Sequence, residues 1–218
     1  MSSLFDVRKQ ITFYGSYHSH PVNVVIHIFG VPALLWSALV LTTLIPPPPF
    51  LPSAHYVFNN FLIFDLNTSA LIAAFYLSYY IVLDPVAAVS PQSAPQINPL
   101  ITHFDQILYA PQMILSLLSA TAYAYRPDGI RDAIIVQVVS WIAQFLGHGL
   151  AEGRAPALLD NIVGAFVLAP FFVHLELLFK IGYRPELHKQ LKNDVGKEIA
   201  RLRKEQADKR RAAEKKTF

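Results

Sequence analysis

Residues 141–152 read Trp-Ile-Ala-Gln-Phe-Leu-Gly-His-Gly-Leu-Ala-Glu, and this stretch decides how the rest of the chain is interpreted. It is an apolar, helix-like run that carries Gln144, His148 and Glu152 at successive steps of four. In a continuous helix these three side chains project from one face. Polar groups among apolar neighbours are costly unless they are paired or bind something. We therefore expect this stripe to face partners elsewhere in the chain.

An earlier apolar run supplies such partners. It carries Asn23 and His27, again four residues apart, and His18 lies just before it. Pro21 suits a first helical turn, so the helix is expected to begin between the two histidines. His18 can then fold back towards the face of His27.

The composition is typical of a membrane protein. The chain is 53% hydrophobic and 15% charged, with a mean hydropathy of +0.36, whereas soluble domains are about 45–50% apolar and about 25% charged. Residues 1–183 hold six Lys/Arg against nine Asp/Glu, and residues 184–218 hold twelve against six. We therefore predict a membrane-embedded catalytic domain over 1–183 and a basic, charged cytosolic tail over 184–218. Acidic residues interleave with the basic ones, which argues against nucleic-acid binding.

The predicted fold class is all-α, a multi-span helical membrane protein with a metal site between its helices. Five apolar runs would place the two ends of the chain on opposite sides of the membrane. The basic pair Arg8 and Lys9 and the basic tail both favour the cytoplasm, so we expect four full spans, with the third or fifth run re-entrant or interfacial. The runs are 21–45, 58–83, 107–125, 130–150 and 158–181.

The histidines and the carboxylate suggest a metal centre. The chain has no cysteine, so a metal would need nitrogen and oxygen ligands. His18, His27, His148 and Glu152 suit a divalent first-row ion, with either non-haem Fe(II) oxygen chemistry or Zn(II) hydrolysis. A histidine in an apolar run is more often a hydrogen-bonded core residue.

Other polar residues receive supporting roles. Asn23 and Gln144 are expected to support the ligands or to contact substrate. Asp160 is expected to cap a helix, with support of a ligand as its other possible role. Glu152 has a simpler alternative as an interfacial neighbour of Arg154. His20, His55 and His188 are interpreted as surface or interfacial residues, His174 as a packing residue, and His103 is given no role.

Two motifs resemble those of the fungal 2-hydroxy-palmitic acid dioxygenases of the endoplasmic reticulum. The first is Tyr17-His18-x-x-Pro21-x-Asn23-x-x-x-His27. The second is Trp141-x-x-Gln144-Phe145-x-Gly147-His148-Gly149-x-x-Glu152-x-Arg154-x-Pro156-Ala157-Leu158-x-Asp160-Asn161. The similarity continues through Leu168-Ala169-Pro170-Phe171-Phe172 and Glu176-x-x-Phe179-Lys180-x-Gly182. It covers residues 1 to about 190 and is weak in the middle.

The resemblance implies an Fe(2+)-dependent dioxygenase of fatty acid α-oxidation in the endoplasmic reticulum membrane. Such an enzyme converts a 2-hydroxy long-chain fatty acid and O2 to a fatty acid one carbon shorter, in phytosphingosine and sphingolipid catabolism. The family's histidines fall on His18, His27 and His148, with Glu152 as the acidic candidate. Two rivals remain open, a zinc-dependent membrane lipid hydrolase and a non-enzymatic lipid-binding protein whose polar residues tie helices together. The residues do not determine chain-length preference or oligomeric state.

Overall fold

The computed structural model describes residues 6–87, 104–153 and 164–214. The chain there is mainly helical, as expected, and one short β-hairpin departs from the all-α prediction. The helices are α1 (Val7–Tyr17), α2 (Pro21–Thr42), α3 (Thr68–Ala87), α4 (Phe104–Ala124), α5 (Gly129–Leu146), α6 (Ala169–Lys180) and α7 (Pro185–Glu214). Two π-helical segments, Gly147–Glu152 and Gly164–Leu168, follow α5 and precede α6.

The start of α2 follows the sequence prediction. Pro21 occupies the first turn, where its missing N–H costs no helical hydrogen bond. The His20 side chain caps the helix by accepting a hydrogen bond from the Val22 amide at 3.2 Å. His18 therefore lies outside α2, and the break between α1 and α2 lets it turn back towards the helix that carries His27.

The second apolar run does not begin as a helix. Strands β1 (His55–Asn59) and β2 (Leu62–Asp65) form an antiparallel hairpin, and α3 begins only at Thr68. Asn60 and Phe61 form the turn, in which the Phe61 amide donates to Asn59 Oδ1 at 2.8 Å. Aromatic and β-branched residues favour strands on either side of it. The predicted run from residue 58 is therefore wrong in its first ten residues.

The fifth apolar run forms the centre of the protein in its described part. Helix α6 buries Phe171, Phe172, Val173 and Leu175, each with 4% exposure or less. Helices α2 and α5 pack along each other, and α6 also contacts α2. Helix α6 is consequently surrounded by protein on its apolar face.

Two helices in the described ranges are long and apolar enough to cross a membrane, Pro21–Thr42 and Gly129–Glu152. The first has 22 residues, or about 33 Å, against a hydrocarbon core of about 30 Å. Their outer faces carry exposed apolar side chains such as Phe29, which is 74% exposed, and Val139, which is 60% exposed. The prediction of four or five spans stays a prediction.

The basic C-terminal segment is attached to the body. Helix α7 packs on α1, where Arg8 Nε donates to Asp194 Oδ2 at 2.7 Å. Leu191 is 3% exposed and belongs to the main core. The predicted division at residues 183 and 184 coincides with the turn before α7, and the first half of α7 lies against the body.

Candidate metal centre

Three histidines from three separate segments meet in the interior. His18 comes from the α1–α2 connection, His27 from α2 and His148 from the π-helical segment after α5. One ring nitrogen of each lies within 4.8 Å of those of the other two. The ring centroids are 4.4 Å apart for His18 and His27, and 4.8 Å from each of these to His148. The structure therefore unites the three predicted histidines.

Hydrogen bonds to the backbone orient two of these rings. His18 Nδ1 lies 2.8 Å from the Tyr14 carbonyl oxygen, and His27 Nδ1 lies 2.9 Å from the Asn23 carbonyl oxygen. A carbonyl only accepts, so each Nδ1 carries the proton and each Nε2 keeps a lone pair. This is how a second partner prepares a histidine to bind a metal.

Two buried polar atoms of this site lack hydrogen-bond partners in the part of the chain that the structure describes. Within the described residues, His148 Nδ1 and Gln144 Nε2 are buried without a hydrogen-bond partner. Buried polar atoms normally have partners, so a ligand is the simplest explanation.

The surroundings keep His18 neutral. Burial first, and then the neighbouring His27, lower the pKa of His18 well below its usual range, whereas the hydrogen bond to the Tyr14 carbonyl raises it. A neutral imidazole is the form that binds metal ions. The donor set and its protonation therefore fit a divalent first-row ion.

Glu152 holds the connection between α1 and α2. Its Oε1 accepts from the His20 backbone amide at 2.7 Å and from Asn23 Nδ2 at 3.2 Å. Its Oε2 accepts from the Ser19 hydroxyl at 2.9 Å. The group of metal-capable side chains found in the described residues contains the three histidines and not Glu152. Its role as a fourth ligand stays a prediction.

The π-helical segment explains how His148 and Glu152 reach different partners. A π turn is wider than an α turn and rotates the side chains that follow it, and such turns often mark functional sites. Gly147 lies so close to α2 that a Cβ there would be 2.6 Å from Asn23 Oδ1. The absence of a side chain at Gly147 thus permits the approach that brings His148 to the cluster.

Two cavities meet at the histidines. The first lies mainly between α2 and α5, has an empty volume of about 960 Å³ including its open mouth, and reaches Gln144 and Gln137. The second lies between α1, α2, α6 and α7 and includes Glu176 and Lys192 in its wall. His18, His27, Tyr14 and Phe172 line both.

Of the other residues named in the sequence prediction, two lie at the site and three lie outside the described residues. Asn23 is fully buried, donates to Glu152 and provides the carbonyl that orients His27. Gln144 lines the first cavity. Asp160, Arg154 and His103 lie outside the described residues.

Three other histidines of the described residues have partners of their own outside the cluster. His174 Nδ1 is 3.0 Å from Gln112 Oε1, and the ring packs on Tyr109, which agrees with a packing role. His55 pairs with Asp65 in the hairpin. His188 stacks on Phe179 with ring centroids 4.7 Å apart.

Two aromatic residues of the site were given no role in the sequence prediction. The Tyr14 ring stacks on His18 at a centroid distance of 3.8 Å and also packs on Phe172 at 4.6 Å. Tyr14 lies four residues before His18 in the first motif, and this spacing is the signal that indicates its contact with the histidine. No such local signal exists for Phe172, because it reaches the site from α6.

Comparisons with known proteins point to one family. A family model described as 2-hydroxy-palmitic acid dioxygenase Mpo1-like matches residues 4–181. The chain is also 31% identical over 194 residues to the 2-hydroxy-palmitic acid dioxygenase MPO1 of Saccharomyces cerevisiae. That match covers 88% of this chain and 91% of the yeast protein. No solved structure matches the chain significantly.

Proposed function

Since this chain belongs to the Mpo1-like family of dioxygenases, we propose that it is an Fe(II)-dependent enzyme that shortens 2-hydroxy long-chain fatty acids by one carbon. The cluster of His18, His27 and His148 is the observation that carries the proposal. The overall reaction balances as a 2-hydroxy acid and O2 giving a fatty acid one carbon shorter, CO2 and H2O. O2 takes up all four electrons, so no further reductant is consumed.

The three histidines would hold the iron. When bound, iron supplies a Lewis acid and a redox partner for O2, with positions left open for substrate. The Tyr14 and Asn23 carbonyls keep the His18 and His27 rings in the metal-binding tautomer. Gln144 Nε2 has no partner within the described residues and would donate to the substrate carboxylate or hydroxyl.

In the proposed enzyme Glu152 positions His18 through the neighbouring residues of the chain. It ties Ser19 and the His20 amide to the end of the π-helical segment, and so fixes His18 relative to His148. We keep direct coordination by Glu152 as the alternative form of the proposal. The first cavity accommodates the acyl chain, and its mostly apolar wall excludes water from the reacting carbons.

We further propose a multi-pass protein of the endoplasmic reticulum membrane with a cytosolic C-terminal segment. The contact between α1 and α7 supports this topology, because two basic segments in contact would lie on the same side of a membrane, as an even number of crossings requires. The exposed apolar side chains on α2 and α5 would face lipid. The substrates are then O2 and a fatty acid drawn from the bilayer. Nothing in the charge pattern favours nucleic acid.

The test uses purified protein loaded with Fe(II) and supplied with 2-hydroxypalmitate. Pentadecanoate should form only when O2 is present, should disappear after iron is chelated, and should return when Fe(II) is restored. His148→Ala should lose both iron and turnover, whereas His55→Ala, a histidine distant from the cluster, should keep both. Full turnover by metal-free protein, or hydrolysis of a lipid ester or amide without O2, would refute the proposal.

A further inference from the structure

A cavity with a definite end extends from the histidine cluster between α2 and α5. On α2 its wall runs from His27 to Ala38, and on α5 and the π-helical segment it runs from His148 back to Gln137. On each wall the two end residues are therefore eleven positions apart, which corresponds to about 16 Å of helix. The two helices pack along each other. The cavity has the shape of a slot that begins at the proposed metal.

A polar clasp lies at the far end of the slot. The Ser37 hydroxyl donates to Gln137 Oε1 at 2.6 Å and joins α2 to α5. Leu39 and Val40, directly after Ala38 on α2, are at most 1% exposed, and so is Ala133, which lies one turn beyond Gln137 on α5. The packing beyond this end of the slot is therefore closed. A chain that enters at the histidines therefore meets a wall beside Ala38 and Gln137.

One side of the slot is open to the surface of the protein. Phe145 and Phe166 line it and are 45% and 49% exposed. Both belong to the apolar surface that would face lipid. An acyl chain can therefore enter sideways from a bilayer, with its polar end at the histidines.

The length of the slot matches one class of ligand. Each C–C bond of about 1.5 Å advances an extended chain by about 1.25 Å, so about 16 Å holds about thirteen bonds. A 2-hydroxy acid with C2 at the histidines thus places C15 or C16 at the clasp. This agrees with the acid in the name of the yeast relative, although the length here comes from the helices alone.

We propose that the slot between α2 and α5 is an acyl-chain ruler, in which Ala38 and the Ser37–Gln137 clasp determine the longest chain that is accepted. The inference rests on the proposed function for the identity of the polar end. The ruler itself depends only on the apolar slot and its closed end.

The experiment compares 2-hydroxymyristate, 2-hydroxypalmitate and 2-hydroxystearate as substrates of the iron-loaded protein. Ala38→Leu fills the end of the slot and should raise the kcat/KM ratio of the C14 over the C16 acid by about tenfold, the effect of excluding two methylenes. Gln137→Ala opens the end and should raise the ratio of the C18 over the C16 acid. In that variant Ser37 still donates to the carbonyls of Ala33 and Leu34. Ala74→Leu, on the exposed side of α3, is the matched control and should change neither ratio.

Binding is measured separately so that the ruler does not depend on turnover. Trp141 lines the slot, and in a Trp36→Phe background its fluorescence reports displacement of a brominated fatty acid by unlabelled acids of each length. The same shifts in chain length are expected. A wild-type protein that binds with this length preference but turns over no 2-hydroxy acid would refute the proposed function and support the ruler. If Ala38→Leu does not fold, Gln137→Ala decides alone. Length profiles that match wild type in turnover and in binding would overturn the ruler.

Discussion

Replacing Gly147 by alanine tests whether the close approach of the π-helical segment to α2 builds the metal centre. The added Cβ would lie 2.6 Å from Asn23 Oδ1 and 3.1 Å from Ile26 Cδ1. Carbon atoms normally pack at about 3.5–4.0 Å, so Asn23 must move. Asn23 is fully buried, donates to Glu152 and supplies the carbonyl for His27. The shift should therefore disturb the histidines.

The magnitude follows from two opposing effects. Overpacking a buried site costs about 1–3 kcal/mol, while alanine is favoured over glycine in a helix by up to about 1 kcal/mol. Gly147 has ordinary right-handed helical angles, so the second effect applies in full. We expect Gly147→Ala to lower the free energy of unfolding by about 1–2 kcal/mol. Iron affinity should fall about tenfold, as when support of a metal ligand is lost.

Gly149 provides a control in the same segment. No described atom lies within 4 Å of a Cβ built there, and its backbone is not left-handed. Gly149→Ala should therefore be neutral or slightly stabilising and should bind iron normally. The assay is thermal unfolding of the iron-free proteins, together with iron titration. The two variants should differ by about 2 kcal/mol, or about 4–8 °C. Equal stability and equal iron affinity would refute the reasoning.

Three further predictions follow from other contacts. Glu152→Gln keeps the shape of the side chain but weakens the hydrogen bonds from Ser19 and the His20 amide. The protein should fold, and iron titration should show an affinity about tenfold or more lower; an unchanged affinity would show that Glu152 is only an interfacial residue. Gly15→Ala places a Cβ 2.7 Å from Val195 Cγ2, whereas no described atom lies within 4 Å of a Cβ built at Gly196. Limited proteolysis should therefore release α7 faster in Gly15→Ala than in Gly196→Ala; equal rates would show that the Val195 side chain moves aside without destabilising the contact. Tyr125 donates to Asp65 at 2.7 Å, and this hydrogen bond, ahead of burial, raises the pKa of Tyr125 to about 12. Because the folded state holds the proton more tightly, the stabilisation is complete below about pH 10 and is lost as the pH rises through 12. In an absorbance titration, Tyr125→Phe should therefore lose one tyrosine that titrates at high pH.

The sequence identified the parts of the centre better than their arrangement. The spacing of Asn23 and His27, and the break at Pro21, correctly predicted that His18 would lie outside the helix and face His27. The same method treated residues 144–152 as one uniform helix. The π-helical segment changes the rotation per residue, and no simple periodicity reveals it.

An error elsewhere has a similar cause. The run from residue 58 is apolar enough for a helix, but its first part forms a hairpin. The fifth run is as apolar as a membrane span, and in its described part Phe171 and Phe172 are buried whereas Phe166 and Ile181 are 49% and 80% exposed. Whether this run crosses the membrane stays a prediction. Hydropathy measures the tendency of a side chain to leave water, and it does not distinguish burial in protein from exposure to lipid.

Residue type and local spacing were sufficient to identify the family, the mainly helical class and the three histidines. The tertiary structure, by contrast, sets which groups meet. It placed Glu152 on the α1–α2 connection, Phe172 beside Tyr14, and α7 on α1. It also set the length of the slot that ends at Ser37 and Gln137. These contacts join residues far apart in the chain, and packing between helices, which local patterns do not encode, fixes their distances.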